Sequence, residues 1–347
     1  MQTTALFKLL SSLTDAAKAQ QLLDSVQLHP IFAQPHNDDE PLNRAVIAQA
    51  MNMMLFDDLL ERVPEGKQYV AEKLASGEKV VFDHGALRTV AWENQALPMG
   101  YKAFARILEP LGFTVAGQYP LPKLKMCGFV YTHADLPHDI AQYFVSELYP
   151  EQFTKSFQDA VDRVVSVSSD PLTPRSAELL QKLAAFGALP LADAAELLPN
   201  LLQCFDRQHG VPHLHDYLAL REESAEMAWI STEGNAFNHA TDRVGDIRQL
   251  DAQQRALGRP MKDEIEVARN ANIMQTAYRA TKVKRQFKTD QGVETHEVPG
   301  SFFEFIQRND IDDSVEKGMD LRFDSSNAQG IFTMTRAVTQ TAETAEC

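Results

Sequence analysis

The stretch VFDHGALRTV, Val81–Val90, reads as a strand: β-branched and aromatic residues run through it, and His84 and Arg88 stand among apolar neighbours. A strand turns residues i, i+2 and i+4 to one surface, rising about 3.3 Å per residue. His84, Ala86 and Arg88 therefore share a face, with His84 and Arg88 roughly 13 Å apart along the backbone. The small Ala86 between them leaves floor space for a short dicarboxylic acid.

Two distant stretches have the same form, one possible metal ligand with an arginine four residues later. FNHATDRV, 237–244, carries His239 and Arg243, and SFFEFIQR, 301–308, carries Glu304 and Arg308. Read as strands, they align His239, Thr241 and Arg243 on one face, and Phe302, Glu304, Ile306 and Arg308 on another. Two neutral imidazoles and one carboxylate on rigid strands, with coordination positions left open, are the ligand set of a mononuclear non-haem Fe(II) oxygenase. One such histidine alone is more often a hydrogen-bonded core residue than a ligand; three such segments shift the balance toward a metal.

With 347 residues, 44% of them hydrophobic, the chain can bury a large core as one long domain or two. Its 33 basic and 48 acidic residues give a formal charge of −15, a field that repels phosphate backbones and anionic membranes. Nucleic acid and membrane partners are thereby disfavoured, and a small anionic substrate needs a local arginine cluster. Cys127, Cys204 and Cys347 form no C-x-x-C pair, so neither a disulfide framework nor a structural zinc is expected, and a reducing cytoplasm is the default. The first 26 residues read as an amphipathic helix rather than a secretory signal, and no stretch approaches the roughly 18–20 apolar residues of a membrane span.

Helical spacing dominates residues 1–78, a strand bearing His84 opens 79–133, and helix-favouring segments punctuated by prolines fill 134–228, from Ile140–Leu148 to Leu214–Met227. Residues 229–335 then repeat the earlier order: a strand through His239, a helix over Ile247–Leu257, strands near Ile273–Tyr278 and Val283–Thr289, and a final strand through Glu304; 336–347 form a tail. The fold class expected is α+β, two βαβββ modules of glyoxalase, or vicinal-oxygen-chelate, type around a metal pocket, with an N-terminal helical region and a helical insertion between them.

FDHGALRT around His84, FNHATDRV around His239, VPGSFFEFIQR around Glu304, FVSELYPEQF at 144–153 and FDSSNAQGIF at 323–332 together resemble the 2-oxoadipate dioxygenase/decarboxylase family. The resemblance spans about residues 45–335, and FFEFIQR is also similar to the glutamate-bearing last strand of hydroxyphenylpyruvate dioxygenase. It implies that His84, His239 and Glu304 bind Fe(II), that Arg88 holds a substrate carboxylate, and that 2-oxoadipate and O2 become 2-hydroxyglutarate and CO2. In four-ligand glyoxalases the closing strand of the first module supplies a glutamate. LKMCGFVY, 124–131, taken as that strand here, has no carboxylate, which favours an open oxygenase site.

Arg88 is the natural anchor for a distal carboxylate, because a guanidinium fork stays charged and binds through two parallel hydrogen bonds. Arg243 and Arg308 are expected to be structural. Ser325, Ser326 and Asn327, with Gly330, form a polar turn that can line the pocket or simply lie on the surface. HGVPHLH, with His209, His213 and His215, has zinc-like spacing, but Gly210 and Pro212 interrupt it and no fourth ligand is near. His133 and His138 of THADLPH are expected in an exposed turn. The competing functions are a metal-dependent glyoxalase-like lyase or isomerase and a non-catalytic carboxylate-binding protein.

Overall fold

The computed structural model describes residues 4–37, 39–94, 96–269, 272–312 and 317–324. Its first helices start where side-chain caps dictate. Thr4 accepts from the Phe7 amide to open α1 (Ala5–Leu13), and Asp15 accepts from Lys18 to open α2 (Ala16–Ser25). After a short β1 (Leu42–Asn43), Asn43 accepts from Val46 to open α3 (Arg44–Arg62), which is buried on nearly every side. Proline stands in the first turn of α4 (Pro64–Ala75), where the missing N–H costs nothing.

The first module runs β2 (Phe82–Val90), α5 (Lys102–Leu108), β3 (Phe113–Leu121), β4 (Met126–His133) and β5 (Gln142–Leu148). β5 corrects the helix expected over Ile140–Leu148. Every residue of QYFVSEL is buried, so the strand lacks the exposed face whose polar alternation would have marked it. Next come α6 (Lys155–Val165), α7 (Pro174–Phe186), β6 (Ala188–Leu189), which pairs with β1, and α8 (Leu191–Gln203). The one helix expected over Leu214–Met227 is two, α9 (Leu214–Glu223) and α10 (Ala225–Glu233). Ser224 between them is extended and accepts from the Met227 amide, so it ends one helix and caps the next.

The second module is β7 (His239–Arg243), α11 (Ile247–Ala256), β8 (Glu266–Val267), β9 (Ile273–Ala277) and β12 (Phe302–Arg308). A separate antiparallel hairpin, β10 (Lys282–Thr289) with β11 (Gly292–Pro299), interrupts it, and β13 (Asp310–Asp312) pairs with β14 (Lys317–Met319) beyond it. The strand expected over 237–244 is shorter because residues 237 and 238 lie before the ladder begins.

Eight strands form one sheet in the order β3-β4-β5-β2-β7-β12-β9-β8. Each module lays its last strand parallel to its first, β5 on β2 and β12 on β7, and the modules meet through the antiparallel pair β2–β7. The order is thus approximately symmetric about that seam, and all three segments singled out in the sequence lie at its centre. The chain is an α+β protein of this two-module type.

One face of the sheet packs against the N-terminal helices and α8 through a core that includes Leu9, Ile47, Phe56, Leu87, Leu197 and Phe303. The opposite face, with Ala86, Phe144 and Val130, meets α6, α9 and α10 through Phe157, Tyr217 and Trp229. Asp242, on β7, ties α4 to the sheet by accepting from Tyr69 Oη at 2.7 Å, Lys73 Nζ at 2.6 Å and the Val81 amide at 2.8 Å. Two glycines allow close approach here. A Cβ on Gly85 would lie 2.4 Å from the Phe237 ring, and one on Gly128 would lie 2.3 Å from the Phe144 ring. Among the described residues, no helix is long and apolar enough to cross a membrane.

Candidate metal centre

His84 and His239 come from the two strands of the central seam, and Glu304 from β12 beside them. One ligand atom of each lies within 4.8 Å of the others, and all three side chains are buried. Glu304 Oε2 is 2.8 Å from His239 Nε2 and 3.8 Å from His84 Nε2, and the two imidazole rings meet edge to face with centroids 5.5 Å apart. Oε2 has no aligned hydrogen-bond donor despite its complete burial. A carboxylate oxygen left without a donor between two ring nitrogens is a set of converging lone pairs, and a cation satisfies it. Among the described residues, no other group of histidines, cysteines and carboxylates converges in this way.

Each ligand is held from behind. A bulge at Asp83 breaks the alternation of β2, so Asp83 reaches the ring of its neighbour, and His84 Nδ1 donates to Asp83 Oδ1 at 2.8 Å. This puts the ring proton on Nδ1 and leaves Nε2 as the ligand atom. Asp83 is locked in turn by Arg308, whose Nε and Nη2 donate to its two oxygens at 2.9 Å each. Burial alone would raise the Asp83 carboxyl; the Arg308 charge and the hydrogen bonds from His84 and Arg308 outweigh it and hold the group far below the usual range. On Glu304, burial is likewise outweighed by His239, His84 and the amide of Gln275, which donates to Oε1, and the carboxyl is lowered. Burial lowers His239, with Glu304 opposing, so the imidazole is kept neutral and able to ligate.

Arg88 follows His84 on β2 and lines the same cavity, 1% exposed, with its guanidinium 5.0 Å from the centre of the Trp229 ring. Burial pushes it down to about 10, with Glu226 of α10 opposing, so it remains charged at neutral pH. Phe323 lines the cavity, its ring 4.9 Å from His84, 5.2 Å from Phe144 and 4.8 Å from the Arg308 guanidinium. The free space between these side chains is about 20 Å³, room for about one water.

A sequence profile of the 2-oxoadipate dioxygenase/decarboxylase family matches residues 47–320. The chain belongs to this family. It is similar to a protein from Ralstonia eutropha JMP134 assigned to the glyoxalase superfamily, with 52% identity over 92% of this chain and 98% of that one and a TM-score of 0.86. It shares its fold with the hydroxyglutarate synthase of Oryza sativa, solved with 2-oxoadipate, at 18% identity over 87% of this chain and 98% of that one, TM-score 0.64. The Pseudomonas putida hydroxyglutarate synthase, also solved with 2-oxoadipate, has 20% identity over 79% of this chain and 66% of that one, TM-score 0.55. No curated protein matches the sequence significantly.

In this member of the family, the closing strand of the first module is not LKMCGFVY but β5, and the residue at the position equivalent to Glu304 is Phe144. Glu304 pairs with Thr241, two residues after His239, and Phe144 pairs with Ala86, two residues after His84. A phenyl ring therefore lines the cavity where a fourth ligand would stand. This corrects the carboxylate-free closing strand expected at 124–131: β5 does carry a carboxylate, Glu147, but it accepts from the Tyr101 amide at 2.9 Å, and the position equivalent to Glu304 holds Phe144.

Of the remaining candidates, Arg308 is consumed by Asp83, and Arg243 lies 3.8 Å from Asp83 while donating to the His138 carbonyl at 3.1 Å. Ser325, Ser326 and Asn327 lie outside the described residues. His209 is buried and bonded to the Ser231 carbonyl at 3.0 Å, apart from His213 and His215, whose rings face one another 5.1 Å apart. His138 is exposed, but His133 is fully buried at the end of β4 and bonded to the Leu111 carbonyl, which corrects the exposed turn expected there. Sequence reasoning passed over Asp83, Gln275, Phe144 and Phe323. Asp83 adjoins a ligand in sequence and was within reach; Gln275 and Phe144 become neighbours of the site only through strand order.

Proposed function

We propose that this protein is an Fe(II)-dependent dioxygenase and decarboxylase of a 2-oxo dicarboxylic acid, converting 2-oxoadipate and O2 into 2-hydroxyglutarate and CO2. The observation that carries the reading is the meeting of His84, His239 and Glu304 at one buried point, with Arg88 in the same cavity, in a member of this family. Fe(II) held by the three residues would chelate the 2-oxo acid and supply the O2 chemistry. The balance closes without a second reductant. One atom of O2 ends in the carboxylate formed where CO2 departs, the other in the hydroxyl on the neighbouring carbon, and the substrate's own oxidation supplies the electrons.

The residues of the chain have distinct tasks. Arg88 binds the distal carboxylate as a charged, planar fork in a dry cavity. Asp83, clamped by Arg308, fixes the His84 ring and its tautomer, and Gln275 fixes the Glu304 carboxylate. Phe144 and Phe323 wall the site with apolar surface and exclude water, which strengthens every charge interaction inside.

The deciding experiment is anaerobic loading with Fe(II), then a screen of 2-oxo dicarboxylates for O2 consumption, with the product identified. Stoichiometric O2 uptake and CO2 release with 2-oxoadipate are expected. Iron binding without O2 uptake on any diacid would overturn the reading and favour a lyase or isomerase.

A further inference from the structure

Asn238 occupies the bend that leads into β7, with its backbone fixed on both sides. Its amide donates to the Ala86 carbonyl at 2.8 Å and its carbonyl accepts from the Phe302 amide at 3.1 Å, tying it to the strands that carry His84 and Glu304. Because the bend interrupts strand alternation, Asn238 and His239 both line the cavity although they are adjacent in sequence.

One orientation of the Asn238 amide suits the histidine. His239 turns Nε2 toward Glu304, so in the ligating tautomer the ring proton is on Nδ1, and it donates to Asn238 Oδ1 at 3.3 Å. The other end of the amide, Nδ2, has no acceptor, and the residue is 1% exposed. A buried amide donor without a partner is costly. The wall it belongs to also contains Arg88, so the cavity presents both a fixed charge and a fixed neutral donor to the same occupant. An oxygen of an anionic substrate would satisfy the Asn238 donor. The ligand carboxylate, Glu304, accepts from Gln275 through Oε1, and no hydrogen bond joins it to Asn238 Nδ2.

We propose that Asn238 is a substrate-recognition residue whose Nδ2 donates a hydrogen bond to a carboxylate oxygen of the bound 2-oxo acid, while its Oδ1 keeps His239 in the ligating tautomer. The inference rests on the functional reading above and assigns one further contact to it. It makes recognition and metal ligation properties of two ends of one amide, which a single substitution can separate. Asn238→Asp keeps an acceptor for His239 Nδ1 and replaces the donor by a like charge; Asn238→Ala removes both ends.

The test is anaerobic calorimetry of 2-oxoadipate binding to the Fe(II)-loaded protein and its variants, with iron content measured on each and KM and kcat determined separately. Asn238→Asp should retain iron and weaken 2-oxoadipate binding by about 10- to 100-fold, the range for a hydrogen bond to a charged group, with the loss in KM rather than kcat. Asn238→Ala should lose affinity for both iron and substrate. If Asn238→Asp binds 2-oxoadipate as the unaltered protein does, or loses iron instead, the donor role is wrong and Asn238 only positions His239. If the unaltered protein binds iron but no 2-oxoadipate, the functional reading fails, and this contact with it.

Discussion

Phe144 and Glu304 occupy equivalent positions in the two modules, each paired with the residue two places beyond a seam histidine, Ala86 in one case and Thr241 in the other. The pair differ as a ring differs from a carboxylate. That difference separates a site with three protein ligands from one with four. Phe144→Glu should therefore bind a divalent metal more tightly than the unaltered protein and consume O2 about 10-fold more slowly or worse, because a fourth ligand fills a position the reaction needs open. Metal titration with O2 electrode measurements checks both. Faster turnover in the variant would contradict the assignment.

Glu304→Ala should abolish nearly all iron binding while leaving a cooperative thermal transition. The carboxylate sits between imidazoles and removes no apolar packing when truncated, and its loss relieves a buried charge. Metal analysis beside circular dichroism separates loss of the ion from loss of the fold.

Arg88→Ala should lower kcat/KM on 2-oxoadipate by about 30- to 1,000-fold, the range for a desolvated charge-assisted contact, while leaving iron content nearly unchanged. Arg88→Lys should recover only part, since an ammonium makes no planar fork. Unchanged kcat/KM on every 2-oxo diacid would make Arg88 structural and move the substrate class to monoacids.

Asp83→Asn should be costly twice over. Arg308 would keep a buried charge without its counter-ion, a loss of about 3–5 kcal/mol, and His84 would lose the group that fixes its tautomer, about 10- to 100-fold in metal affinity. Denaturant unfolding reads the first and metal titration the second. The double variant with Arg308→Met should regain stability but not metal affinity.

His209 provides a pH signature away from the metal. Burial pushes it down to about 4, with the Ser231 carbonyl opposing. The unfolded chain, titrating near 6.5, therefore binds more protons than the folded one between these values. Stability is complete above about 6.5 and falls as pH drops toward 4, by at most about 3 kcal/mol. His209→Gln should flatten this slope in denaturant melts from pH 4 to 7. An unchanged slope would assign the acid sensitivity to other groups.

The legible part of the molecule was what local chemistry writes down. Apolar residues at helical spacing mark the N-terminal region, although the single helix read over residues 1–26 is two, divided where Asp15 caps α2, and the ligand strands show through a histidine or glutamate set in apolar, β-favouring runs. QYFVSEL was misread because a strand covered on both faces has no polar alternation to distinguish it from a buried helix. The helix break at Ser224 was missed because neither glycine nor proline marks it. Partners such as Gln275 and Phe144 were invisible for a different reason: they reach the site through pairing across strands distant in sequence, a property of the sheet and not of any segment.

β7, five residues long, is hydrogen-bonded along both edges, to β2 and to β12. The exposed margins of the sheet are β3 and β8, so fraying, which begins at margins, reaches none of the three ligands. Amide hydrogens of Ala240 and Thr241 should consequently exchange only when the whole protein opens. An ion seated there would leave by side-chain rotation or with the collapse of the fold itself, and its binding energy would add directly to heat resistance.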